Sequence, residues 1–271
     1  MLRHTFKLHL LAICFTLTSA PPTSTMAQTQ AVVPVTVPFV GCRSGGQLGP
    51  IAAPKSSDKS ITVPPNVAKR LAYYKAKWSP GILAPLGWNC LGINDHDSFT
   101  LLVTAKSPKN NKSKAKSIPE RIASLTHLFS HRKSDITGPA ILVSEYYGTT
   151  EGKLKVASFV ARLFPEHKTF VQALIKQGTI AEKDLSYVPY PNDTLTYRGD
   201  RIVEYQTAPN SRGLGTEGLL KMEDSVIQGV AILTGETPDL VFLAMRLPAD
   251  MDDLAPVIIQ QTERDNAEKP R

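Results

Sequence analysis

Apolar positions along this chain follow two periods, and each period marks a different kind of element. Val226–Thr234 and Leu240–Leu247 are almost continuously apolar over strand length and flank Gly235-Glu-Thr-Pro-Asp239. Runs of this kind predict central strands covered on both faces. Ala140–Tyr147 and Phe99–Ala105 are further strands rich in β-formers. Thr194–Arg198 and Arg201–Thr207 flank Gly199-Asp200, which reads as a two-residue hairpin turn. Helical spacing appears elsewhere. Val156, Phe159, Val160 and Leu163 share one face of a helix that begins at Thr149 or Thr150 and ends before Pro165. Pro165 suits the first turn of a second helix, which carries Phe170, Val171 and Leu174 and closes at Gly178. Val67, Leu71 and Tyr74 predict a helix over residues 66–77, and Ile122, Leu125 and Phe129 one over 118–131. A closing helix over 254–264 has Asp253 as its N-cap.

Residues 28–66 break both periods. Pro34, Pro38, Pro50, Pro54, Pro64 and Pro65 exclude long regular elements, so this stretch is expected to be an extended leader lying on the domain near Cys42. Residues 81–90 read as a loop. The expected fold is α+β: five or six mostly antiparallel strands packed with four or five helices, in one domain over 67–265 with a polar tail over 266–271.

The first residues change the compartment. Arg3 and Lys7 precede an apolar run from Leu10 to Leu17, and Thr25-Met26-Ala27 ends in small residues at the right spacing. This is the layout of a signal peptide over 1–27, cut between Ala27 and Gln28. The run is too short to span a bilayer. Leu11-Ala12-Ile13-Cys14 has the outline of a lipoprotein site, which bulky Ile13 disfavours. Cleavage leaves 244 of the 271 residues and lowers the formal charge from +7 to +5. It also removes Cys14, so Cys42 and Cys90 remain as an even pair, expected to form a disulfide in an oxidising compartment. The mature chain is expected to be soluble, in a periplasm or, alternatively, outside the cell.

Charge adds little chemistry. Lys106, Lys109, Lys112, Lys114 and Lys116 fall in one loop over 106–117, which could touch an anionic envelope surface. The remainder is near neutral, so no nucleic-acid partner is expected. Gly213-Leu-Gly-Thr-Glu-Gly218 matches a dinucleotide-binding pattern, but too few residues separate it from the next strand for the required helix. A flexible inter-strand loop is expected there, and no cofactor. Arg198-Gly199-Asp200 spells an adhesion tripeptide that a tight turn would also need. Asp95-His96-Asp97 is the densest group of acid–base or metal-ligating residues, although neighbours in an extended segment face opposite ways. His127 and His131 have zinc-compatible spacing without a third ligand. No metal site is expected, and serine-nucleophile signatures are absent.

Ala84-Pro-Leu-Gly-Trp-Asn-Cys90, Phe164-Pro-Glu-His167 and the segment from Gly229 to Leu240 are similar to a family of uncharacterised exported bacterial proteins. That resemblance implies a Gram-negative periplasm and carries over no activity. The leading expectation is a non-catalytic binding or interaction protein of the cell envelope. The alternatives are an exported hydrolase with a dispersed site near Asp95-His96-Asp97, and a carrier of small apolar ligands.

Overall fold

Residues 33–105, 136–147 and 150–267 are described by a computed structural model of the chain. They form thirteen strands: β1 (Val33–Val37), β2 (Phe39–Cys42), β3 (Ser44–Gly46), β4 (Lys59–Val63), β5 (Leu71–Ala76), β6 (Ile82–Pro85), β7 (Asn89–Asn94), β8 (Ser98–Thr104), β9 (Ala140–Tyr146), β10 (Asp193–Arg198), β11 (Ile202–Thr207), β12 (Ile227–Thr234) and β13 (Asp239–Arg246). The helices among them are α1 (Pro65–Ala68), α2 (Thr150–Leu163), α3 (Lys168–Lys176) and α4 (Ala255–Ala267).

The expected balanced α+β fold with five or six strands is therefore incorrect. Eight strands make one sheet in the order β10-β11-β12-β13-β9-β8-β7-β3, and β1-β4 and β2-β5-β6 make two smaller ones. The strands that periodicity missed are short, and several contain or adjoin a proline. Pro34 lies within β1, which pairs only with β4, and Pro85 ends β6, the edge of its sheet. Edges and strand ends are where a residue without an N–H is tolerated. The segment read as a leader thus supplies Val37, Cys42, Ile61 and Val63 to the core.

Three local expectations also fail. The helix over 66–77 shrinks to the single turn of α1, and Leu71–Ala76 is β5. Leu71, Ala72, Tyr74 and Ala76 are all buried there, because β5 runs between β2 and β6 under the large sheet. The turn after β10 has three residues, since Arg198 pairs with Ile202; Gly199 still supplies the positive φ, at 71°. Asp253 does not cap α4. A 3-10 turn over Ala249–Leu254 leads into the helix, and both Asp253 oxygens accept from Arg70, at 2.6 and 3.0 Å.

The strand alternation is kept throughout the large sheet and creates two cores. Val230, Ile232, Val241 and Leu243 point toward the small sheets and α4. Ala231, Leu233, Leu240 and Phe242 point the other way, onto α2 and α3. β12 and β13 are central and covered on both faces, as their composition predicts. Phe242 stacks on Tyr205 at 5.5 Å and meets Phe159 of α2 edge-on at 5.0 Å. Each such pair adds about 1 kcal/mol beyond its buried area.

Candidate functional site

The turn between β5 and β6 is held by its own polar groups. Ser79, 1% exposed, accepts from the Ala76 N–H at 3.3 Å and donates to the Pro80 carbonyl at 3.0 Å. The Lys75 ammonium donates to the Ser79 carbonyl. A Cβ on Gly81 would lie 2.1 Å from the Tyr73 hydroxyl, so any larger residue there would force the Tyr73 ring to shift. Within this frame Trp78 takes a φ of 71°. Bulky side chains avoid the left-handed region, and holding one there costs on the order of 1–3 kcal/mol.

Trp78 is 46% exposed. It lies 5.7 Å from Phe99, which lies 5.6 Å from Tyr147. The three rings form an aromatic shelf at the end of the large sheet, and Lys77 stands 4.7 Å over the tryptophan ring. The strand register explains the neighbours. Gly46, Asn94, Phe99, Glu145 and Val241 are successive cross-strand partners, so the side chains of the last four share one face of the sheet. Glu145 is 3% exposed and accepts from the Tyr147 hydroxyl at 2.9 Å. Asn94 is 2% exposed, and neither atom of its amide has a partner. The buried Ser44 hydroxyl, one strand away, is also unpartnered. Buried polar atoms without partners are rare and costly.

Asp95, His96 and Asp97 make the β7–β8 turn at the same end of the sheet. Asp95 and His96 are exposed. The Asp95 carboxylate accepts from the His96 N–H at 2.9 Å, and the Asp97 carbonyl accepts from the Tyr147 N–H at 3.0 Å. No group of three or more His, Cys, Asp or Glu could hold a metal ion among the described residues. The sequence reading thus found the turn but missed the rings beside it. The available signal was a tryptophan within Lys77-Trp-Ser-Pro-Gly81, a turn sequence where an exposed aromatic has no packing reason to stand.

Cys42 and Cys90 form the expected disulfide, with Cα atoms 5.5 Å apart. It ties the end of β2 to β7. Ala27, Gln28, the lysine-rich loop, His127 and His131 lie outside the described residues. Among the described residues, no helix is long and apolar enough to cross a membrane.

The glycine-rich loop is pinned rather than flexible. A Cβ on Gly213 would lie 2.1 Å from Asp193 Oδ1, and one on Gly215 would lie 2.5 Å from Ile227. The Leu214 N–H donates to Asp193 at 2.9 Å and the Gly215 N–H to Thr207 at 3.0 Å. These glycines allow close packing, and both N–H groups have partners within the protein. In the adhesion-like tripeptide, Arg198 pairs with Glu204, and Asp200 lies 3.3 Å from His167.

A second polar cluster joins α4 to the outer strands. Thr194, Thr196, Gln206 and Gln228 floor an open cleft of about 230 Å³, walled by Pro256 and Ile259. Beside it, Glu263 of α4 faces Glu204 of β11. Burial and the neighbouring Glu204 carboxylate push Glu263 up to about 7, against the pull of Arg198 and Arg264.

Comparison with known proteins finds no match: no family model, no curated protein and no solved structure is similar to this chain. Nothing in it bears on a family of exported proteins.

Proposed function

We propose that this protein is exported to the bacterial envelope, acts there without catalysis, and binds its partner on the aromatic shelf. The observation that carries this reading is Trp78: a bulky residue with φ of 71° that is 46% exposed. Its conformation costs stability, and an exposed ring recovers little of that cost through burial. An exposed aromatic ring held in place by a rigid turn is a common binding anchor. The Cys42–Cys90 disulfide supports an oxidising compartment, the leader sequence supports export, and the segment resemblance supports a bacterial route.

Sedimentation tests the reading. Mature protein is mixed with purified, washed cell envelopes and centrifuged, alongside a Trp78→Gly variant. Wild type is expected in the pellet and the variant in the supernatant. Equal distribution of the two would contradict the assignment. Mass spectrometry of the exported chain checks the compartment: Gln28 is the expected first residue, and an intact Met1 would refute cleavage.

A further inference from the structure

We infer that the last two turns of α4 are a proton-operated latch: they stay docked on the outer strands while Glu263 and Glu204 share a proton, and they lift when it is lost. Neither residue belongs to the aromatic shelf. The helix changes character along its length. Leu254, Ala255, Ile258 and Ile259 are buried in the core shared with the small sheets. Residues 260–266 read Gln-Gln-Thr-Glu-Arg-Asp-Asn and contain no apolar side chain. Gln261, Thr262 and Asn266 are buried, yet each donates within its own helix: to Asp265, to the Ile258 carbonyl and to the Thr262 carbonyl. These bonds hold the helix together and do not dock it. Docking comes from polar contacts. Lys59 of β4 reaches Asp265 at 3.4 Å, and the Arg264 guanidinium donates to the Thr62 carbonyl at 3.3 Å. Both contacts are partly exposed, and such contacts add little. A segment with few apolar anchors opens at a lower free energy than the core it leaves.

The third contact is the carboxyl pair. Glu204 lies on β11 between Thr196 and Val230 of the adjacent strands, and Arg198 pairs with its carboxylate. Glu263 stands within hydrogen-bonding reach of Glu204 and keeps a buried oxygen that no donor satisfies. Carboxylates only accept, so a bond between the two needs one proton. The charged groups facing Glu263 are Glu204 and Arg198 from the outer strands and Arg264 from its own helix. Lys59 and Tyr73, from the small sheets, face Asp265 instead. Burial raises the Glu263 carboxyl most, Arg198 pulls against it, Glu204 adds to it, and the group settles at about 7. Lifting returns Glu263 to water and to its ordinary value of 4.5. Between those values the docked helix holds a proton that the lifted one has released. Opening therefore becomes easier as pH rises through that window and levels off above it.

Amide hydrogen exchange on the mature chain tests this, at about pH 4 and about pH 8, either side of the window, with each rate corrected for its intrinsic pH dependence. Protection of the amides of residues 263–266 should fall at least about tenfold from the lower pH to the higher. At the higher pH those amides should exchange faster than the amides of α2, which open only with the whole fold. Glu263→Gln cannot titrate and donates to Glu204 at every pH, so the fall should disappear. Glu204→Gln removes the like charge and should shrink it. No fall at residues 263–266, or a fall unchanged in either variant, would overturn the latch. Protection there equal to that of α2 at the higher pH would also overturn it, because the segment would then open only on global unfolding.

Discussion

One face of the eight-stranded sheet is covered by helices, the other by two small sheets and α4. On the helical face the buried charges are paired, although Arg246 Nε lacks a hydrogen-bond partner. Glu217 bridges Arg162 and Lys155, the latter at 3.2 Å. Burial alone would push Glu217 up, but the hydrogen bonds and charges of these two cations hold its carboxyl below the usual range. Arg246, 2% exposed, donates to the Lys221 carbonyl and pairs with Glu223 at 2.8 Å. On the opposite face the polar groups are less settled. Ser44, Asn94 and Glu263 each keep a buried atom without a partner, and Trp78 holds an unfavourable φ. Polar groups on the first face close the structure. Those on the second include both paired groups, such as Lys59 with Asp265, and the unpartnered Ser44 and Asn94 near the shelf.

The largest expected effect lies on the helical face. Arg246→Met leaves the Lys221 and Gly138 carbonyls and Glu223 without their cation, and should cost about 3–5 kcal/mol in urea unfolding. A cost under about 1 kcal/mol would mean that the buried pairs do not close this face.

Next comes the disulfide. Replacing Cys42 and Cys90 by serine should cost about 2–4 kcal/mol, because the bond closes a separation of 48 residues. The loss should appear as a lower denaturation midpoint and match that of reduced wild type. A reduced protein as stable as the oxidised one would break this expectation.

Glu263 gives a smaller, pH-dependent effect. Its value is raised from 4.5 to about 7 in the folded chain. Between those values the folded protein holds a proton that the unfolded chain has released. The stabilising proton is therefore fully present below the lower value, and stability falls as pH rises through the upper one. Solvent screening of a partly exposed group reduces the swing to about 1 kcal/mol. Glu263→Gln should flatten the profile between the unfolded value of 4.5 and the folded value of about 7; an unchanged slope would assign the titration elsewhere.

Where the hydrophobic period was long, the chain was legible. β12, β13, β9 and α2 follow directly from runs of seven or more residues, and the cysteine pair follows from parity once the leader is removed. β1 to β7 were not legible, because strands of three to six residues, several of them containing or adjoining a proline, carry too few alternations to separate from loops. Val67, Leu71 and Tyr74 fit a helix by spacing, and only the neighbours β2 and β6 made that stretch a strand. The shelf was hidden for a related reason. Trp78, Phe99 and Tyr147 come from three distant segments, and register alone places Asn94 and Glu145 beside them.

The most direct test combines stability and binding in Trp78→Gly. Glycine accepts positive φ freely, so the variant should melt within about 2 °C of wild type or above it. It should at the same time lose sedimentation with the envelope. A variant that melts several degrees lower would show that the ring serves packing. One that melts unchanged and still binds would show that the shelf is not the binding face.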